Sequence, residues 1–244
     1  MKLINSLIIC LLVFSCQKAE DRSCFKKSGS YEERTFSLEA FNRLNLKEHL
    51  TCKLIQDSTN KIVIKGGKNL LNFVEATVSD GLLSLHNKNK CNYLRGYDFP
   101  TVEVHYTQLI NILFEGTEPL YNEDTLFTDY LTLTLRDGAG EVDLRVAALD
   151  INAVNTHGWG SLKLKGHTQG FRGHLMGDGS FDVRGLTVSN ELKIISSSSR
   201  AQYIKAQGIP LYSEIQGMGN IYYFGVPSAI HKLRYGQGDL IDLN

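Results

Sequence analysis

The sequence predicts an all-β protein: a single-stranded β-helix, or β-solenoid, with about 20-residue coils, capped by an irregular β-rich amino-terminal segment. Three observations carry this prediction. A Gly-x-Gly form recurs at Gly138-Ala139-Gly140, Gly158-Trp159-Gly160, Gly177-Asp178-Gly179, Gly217-Met218-Gly219 and Gly236-Gln237-Gly238, and its first glycines step by 20, 19, 40 and 19 residues. After one polar residue, most of these rungs lead into an apolar, polar, apolar alternation, the period-two signature of a strand. Twenty-two glycines stand against four prolines, as in a turn-rich β chain, and no long stretch has sustained helical spacing. A β-sandwich is the competing architecture, but a sandwich needs no such regular period.

The elements follow in chain order. Lys2 precedes an apolar run from Leu3 to Phe14, too short to span a bilayer, so residues 1–15 read as a signal peptide. Val13-Phe14-Ser15-Cys16 has the lipobox form of apolar, any, small, cysteine. Cleavage before Cys16 would leave that cysteine as a lipidated amino terminus; ordinary secretory cleavage nearby is the alternative. Several acyl chains on one residue anchor stably, since each buried methylene adds about 0.8 kcal/mol. Residues 16–30, opening Cys16-Gln17-Lys18-Ala19-Glu20-Asp21, read as the lipidated terminus and a charged tether. The expected location is that of an exported outer-membrane lipoprotein, facing the periplasm or the cell surface, held to the membrane by its lipid.

Residues 31–244 read as one solenoid domain, irregular over 31–125 and regular over 126–244. In the irregular part, strands are expected at Phe41 to Leu46, Leu50 to Ile55, Lys61 to Lys65, Val74 to Ser79, Leu82 to His86 and Thr101 to Tyr106. Asp80-Gly81 marks a hairpin turn between two of them. In the regular part, each coil holds one strand before and one after its glycine rung. Val142, Leu162, Phe181, Ala201, Ile221 and Leu240 are expected to stack inward, with Asp143, Lys163, Asp182, Gln202 and Tyr222 outward. The 40-residue step contains a rung without glycine, the run Ser196 to Ser199 before Arg200.

Cys24, Cys52 and Cys91 remain after Cys10 leaves with the signal and Cys16 takes lipid. An exported setting permits disulfides. Cys52 lies on the apolar phase of its strand and reads as a buried thiol. A Cys24–Cys91 bridge is expected; Cys52–Cys91 is the rival pairing.

Several segments carry a resemblance. Glu32-Glu33-Arg34 leads to Phe41-Asn42-Arg43-Leu44, and Gly67-Lys68-Asn69-Leu70-Leu71 precedes Val78-Ser79-Asp80-Gly81-Leu82-Leu83-Ser84-Leu85. Asn89-Lys90-Cys91-Asn92 precedes Val102 to Tyr106, and Gly219-Asn220-Ile221-Tyr222-Tyr223-Phe224-Gly225-Val226-Pro227 closes the last full coil. Together, from about residue 31 to 240, they resemble the auto-transporter adhesin head family, also called the GIN domain, of exported Bacteroidota-type proteins. The resemblance implies a β-solenoid-like fold, an envelope or surface location, and no catalytic motif to carry over.

No G-x-S-x-G elbow, P-loop or H-E-x-x-H motif occurs. The Gly-x-Gly repeats lack the strand–loop–helix context of a dinucleotide fingerprint. No cofactor and no metal site is expected: His157, His167 and His174 lie close in sequence, but nothing in their spacing makes them converge. The 26 basic and 26 acidic residues cancel, and no basic patch interleaves with aromatics, which disfavours nucleic acid. Trp159, between two turn glycines, with Tyr212 and Tyr222 near the end of the ladder, are the candidate contact residues for a glycan or an envelope or host protein. The expected function is therefore a non-enzymatic, lipid-anchored binding or adhesion scaffold. The alternative is a carbohydrate-active β-helix enzyme, a polysaccharide lyase or hydrolase, with Asp143, Lys163, Asp182 and Glu214 as its only candidates.

Overall fold

The computed structural model describes residues 27–89 and 99–244. Cys16, Cys24 and Cys91, and with them the expected lipidation and disulfide, lie outside the described residues. The described chain is almost entirely β. Its strands run as β1 (Tyr31–Ser37), β2 (Arg43–Glu48), β3 (Thr51–Gln56), β4 (Lys61–Gly67), β5 (Val74–Ser79), β6 (Leu82–Asn87), β7 (Thr101–Tyr106), β8 (Asn111–Gly116) and β9 (Leu120–Asn122). There follow β10 (Leu126–Phe127), β11 (Tyr130–Leu135), β12 (Glu141–Asn155), β13 (Ser161–Leu175), β14 (Ser180–Ser196), β15 (Gln202–Lys205), β16 (Pro210–Ile215), β17 (Ile221–Phe224), β18 (Ala229–Arg234) and β19 (Leu240–Asp242). One helical turn, α1 (Lys68–Leu71), sits between β4 and β5 and buries Leu70 and Leu71.

The strands stack into a β-solenoid with two long faces and a short third side. Face one runs in parallel register through β6, β2, β8, β11, the second half of β12, and then the matching parts of β13 and β14, with β16 and β18 last. Face two runs through β7, β3, β9, the first halves of β12, β13 and β14, then β15, β17 and β19. The third side pairs Leu126 and Phe127 of β10 with Val146 and Ala147, and these in turn with Gly166 and His167. Strands β12, β13 and β14 reach 15, 15 and 17 residues because each bends from face two past the third side into face one. Partners on successive coils are 20 residues apart between β12 and β13 and 19 apart between β16 and β18, the period of the glycine ladder.

Alternation puts one side of each strand inside. Leu120, Val142, Leu162, Phe181 and Ile221 stack fully buried on face two, and Leu131, Ile151, Phe171, Leu192 and Leu211 on face one. Burying each such side chain contributes about 1.5–3 kcal/mol. Coils approach closely at the Gly-x-Gly corner. Gly219 donates its N–H to the Ser198 carbonyl and Gly238 donates to the Gly217 carbonyl. A Cβ on Gly219 would fall 2.1 Å from the Arg200 carbonyl oxygen, and one on Gly238 2.1 Å from that of Gly219. These positions stay glycine because the backbone of the preceding coil occupies the space a side chain would need.

The serine rung departs from the expected register by one residue. Gln202, not Ala201, takes the inward place and is fully buried, while Tyr203 points outward beside Asp182. Ser198 and Arg200 occupy the two glycine positions. The ladder between β14 and β15 shrinks to the single pair Asp182–Tyr203. The Gln202 amide replaces what is lost: Phe181 N–H donates to its Oε1 at 2.6 Å, and its Nε2 donates to the Arg200 carbonyl at 2.8 Å. Buried Ser198 donates its Oγ–H to the Gly179 carbonyl at 2.8 Å. A buried polar side chain is tolerated here because it satisfies backbone groups that the shortened ladder leaves open.

The amino-terminal strands assemble out of chain order. Strand β2 lies between β6 and β8, and β3 lies between β7 and β9. The first coil is thus enclosed by segments that follow it in sequence. Stacking in parallel register already includes β8 and β9, upstream of the first glycine rung. Beyond this coil, β4 turns antiparallel to β7 and β1 antiparallel to β4, while the Asp80-Gly81 hairpin, with φ of 51° and 72°, sets β5 antiparallel to β6. Cys52 is fully buried on the inward phase of β3, and its thiol is free.

The far end is closed by charge. In register, Ile230, Lys232 and Arg234 of β18 take inward positions, and every residue of this strand is exposed. Lys232 and Arg234 both reach Asp239, and Arg234 also donates to the Gln237 carbonyl. Inward charges on a terminal strand oppose the addition of a further strand.

Two outcomes test this account. Gly219→Ala is expected to cost about 2–3 kcal/mol, because backbone must move, whereas Gly208→Ala, at a φ of 72° with nothing within 4 Å of its Cβ, is expected to cost about 1 kcal/mol from conformation alone. Equal losses in urea unfolding would contradict the close-approach argument. A second outcome concerns acid. At the β3–β4 turn, His105 and the Ser58 N–H hold the Asp57 carboxyl down to about 2. A depressed folded value stabilises above the unfolded value of about 3.9, and that contribution is lost as pH falls through about 2. Asp57→Asn is expected to flatten this part of the stability profile between about pH 4 and 2, read by denaturant midpoints across that range.

Candidate contact surface

On face two the outward column runs Asp143, Lys163, Asp182, Tyr203, Tyr222 and Ile241, one residue per coil. Two residues further along each strand stand Arg145 and Lys165, paired in register, then Arg184, displaced by a bulge that sets Gly185 opposite Lys165, and then the pair Lys205 and Phe224. The parallel register sets successive side chains about 4.8 Å apart, so neighbours on the stack touch. The face divides into two parts. In the first, charges alternate and pair: Lys163 with Glu141 at 2.7 Å, Lys165 with Asp143 at 3.1 Å, and Arg184 with Asp182 at 2.6 Å. In the second, the rings of Tyr203 and Tyr222 stack with centroids 5.3 Å apart and planes 15° from parallel.

Arg184 sits at the seam. Its guanidinium lies 4.8 Å from the Tyr203 ring centroid and 5.7 Å from that of Phe224. Two hydrogen bonds from Arg184 to Asp182, at 2.9 and 2.6 Å, fix the guanidinium over those rings. The same contacts hold the Asp182 carboxyl below its ordinary range and raise Arg184. Asn220 donates to the Tyr222 hydroxyl at 3.2 Å and orients that ring from below. The result is a rigid aromatic platform with a fixed cation at its edge. Such a surface can stack on the apolar face of a sugar or receive a side chain of a protein partner.

The three sequence-predicted contact residues separate onto three sides. Tyr222 belongs to the platform. Tyr212 stands on the opposite face, stacked on His231 at 4.6 Å and 7°. Trp159 projects from the Gly-x-Gly corner, 62% exposed, with its carbonyl accepting from Arg200 at 3.0 Å. Tyr203 and Arg184 complete the platform: Tyr203 belongs to the aromatic group near the end of the ladder, but the regular period turns it inward, and nothing in the sequence singles out Arg184. The one-residue shift at the serine rung hides Tyr203, since the regular period places Gln202 outward in its stead. Tyr223, between the two outward rings, is mostly buried, with its hydroxyl donating to Asp242 at 3.0 Å.

The acidic candidates for catalysis do not converge. Asp143 and Asp182 are each tied to a cation on their own face, and Glu214 lies on face one, accepting from Gln216. Among the described residues no group of three or more histidine, cysteine, aspartate or glutamate side chains could hold a metal ion.

Comparisons with known proteins place this architecture. A putative adhesin from Bacteroides fragilis NCTC 9343 superposes with a TM-score of 0.75 at 20% identity, over 88% of this chain and 97% of that one. A putative adhesin from Parabacteroides merdae ATCC 43184 gives 0.59 at 17% identity, over 88% and 97%. A protein named as a putative lipid binding protein, from Parabacteroides distasonis ATCC 8503, gives 0.62 at 16% identity, over 88% and 98%. At these identities the likeness is one of fold. No curated protein matches the chain. The family described as "Putative auto-transporter adhesin, head GIN domain" matches residues 40–227, most of the solenoid. The chain belongs to that family.

Proposed function

We propose that this chain is a non-enzymatic, lipid-anchored protein of the bacterial envelope or cell surface whose solenoid serves as a binding and adhesion scaffold. The observation that carries this reading is the Tyr203–Tyr222 platform under Arg184, a stacked aromatic surface held outward by backbone on both sides. Membership of a family described as adhesin heads supports it, as does the likeness in fold to two proteins named as adhesins. The ion pairs of the outward carboxylates support binding over catalysis. A general acid near neutral pH needs a raised carboxyl, and Asp182 is lowered by Arg184. A sugar or protein partner suits the platform better than a lipid tail, because its rings lie on an open strand face.

Stacking on an aromatic ring is worth about 1 kcal/mol. Replacing both Tyr203 and Tyr222 with alanine is therefore expected to weaken retention on glycan or envelope-protein arrays by tenfold or more, with little change in thermal stability. Undiminished retention by the double variant would overturn the platform. Polysaccharide cleavage that disappears in Asp182→Ala would establish the enzyme reading in its place.

The anchor is tested by mass spectrometry of the mature protein. The expected amino terminus is acylated Cys16, and an unmodified terminus at another residue would refute lipidation there.

A further inference from the structure

A second surface lies away from the platform, where the third side meets face one. Two outward columns there each contain a gap. On the third side, Phe127 and His167 flank Ala147 in register, so a small side chain lies between two large ones. At the start of face one, Tyr130, Asp150, Gly170 and Glu191 follow one another in register, with Pro210 nearby, so Gly170 puts no side chain of its own between two carboxylates. The two gaps open into adjoining hollows of about 420 and 470 Å³ that share Leu149 as a wall. Each is within the size range of small-ligand sites.

The hollows differ in chemistry. The first is the more apolar, and three large side chains stand exposed along the shared edge: Phe127 at 62%, Tyr130 at 64% and Leu149 at 42%. The second is ionic. Arg172 bridges Asp150 at 2.8 Å and Glu191 at 3.6 Å. One guanidinium thus serves two carboxylates, and Asp129 on the first hollow adds a third acid, with His167 and Tyr130 the remaining titratable groups. The surface carries surplus negative charge. Asp150 Oδ2 takes the Arg172 bond, while its Oδ1 has no hydrogen-bond donor among the described residues and is enclosed against Gly170, where a Cβ would come within 2.9 Å.

We propose that this two-part groove binds a non-acidic oligosaccharide along the solenoid axis. The apolar face of one sugar would lie on Phe127 or Tyr130, and hydroxyl or amino donors of the next would meet Asp150 and Glu191. Aromatic rings beside paired carboxylates suit a polyol with an apolar face, and the surplus acid selects against uronic sugars. The inference rests on reading the chain as a binding scaffold, but on a different surface from the platform.

The experiment is calorimetric titration of the full-length protein with three hexamers: N-acetylglucosamine, glucosamine and galacturonic acid. The neutral and cationic hexamers are expected to bind and the acidic one to bind at least tenfold more weakly. Tyr130→Ala is expected to lower affinity about tenfold, and Ala147→Leu, which fills the floor of the apolar hollow, to abolish binding. Glu191→Gln is expected to weaken the glucosamine hexamer more than its N-acetylated counterpart. The Tyr203→Ala, Tyr222→Ala double variant is expected to bind as the parent does. Preference for the acidic hexamer, failure of all three to bind, or equal binding by Tyr130→Ala and Glu191→Gln would overturn the proposal. Loss of binding in the platform double variant alone would also overturn it and would assign the ligand to the platform.

Discussion

The contact on which the structure depends is the main-chain hydrogen bonding of one corner to the next. Strands in a sheet lie about 4.8 Å apart, so a coil must turn within that thickness every time it closes. At Gly219 and Gly238 the carbonyl of the preceding coil fills the place of a Cβ. Once the corners register, the flanking strands register too. The apolar residues then fall into continuous inward columns, and the outward residues into ladders one coil apart. Core and surface are both consequences of that corner spacing.

Much of this order is legible from the sequence, because period and alternation report directly on backbone geometry. The strands around Leu131, Ile151, Phe171, Leu192 and Leu211 lie where alternation predicts them, and so do the six expected in the amino-terminal half, whereas β1, β8 and β9 are not among the strands expected there. The serine rung misleads for a physical reason. A glycine rung announces itself by composition, whereas Ser198 and Arg200 fill the same positions by converting close contacts into hydrogen bonds, and nothing in composition fixes which residue of the run comes first. That single-residue ambiguity reverses the faces of Gln202 and Tyr203, and half of the aromatic platform goes with it. Tyr222 is legible because its rung keeps both glycines. The placement of β2 and β3 between later strands is invisible to local pattern, since alternation describes which side of a strand is buried and says nothing about which strand lies beside it.

The surface follows a similar logic. A solenoid face has no deep pocket, so specificity must come from what successive coils place side by side. On face two this yields an ionic half and an aromatic half joined at Arg184. Near the third side it yields gaps where Ala147 and Gly170 interrupt columns of larger side chains. Replacing one residue per coil can redraw either surface without touching the columns inside, which fits a scaffold whose relatives keep the fold at 16–20% identity.

The enclosure of β2 and β3 bears on how the molecule is made. Leu44 pairs with Ile112, and Cys52 with Leu120, each 68 residues later in the chain. Non-local pairings of this kind require closure of a long loop before any contact rewards it. A chain emerging amino terminus first therefore holds its earliest coil without a partner on one side until β8 and β9 have been delivered. The remaining coils, each docking on its immediate predecessor, can then add in sequence. The amino-terminal cap is thus the slow, committing step of assembly, and the ladder after it grows as a zipper.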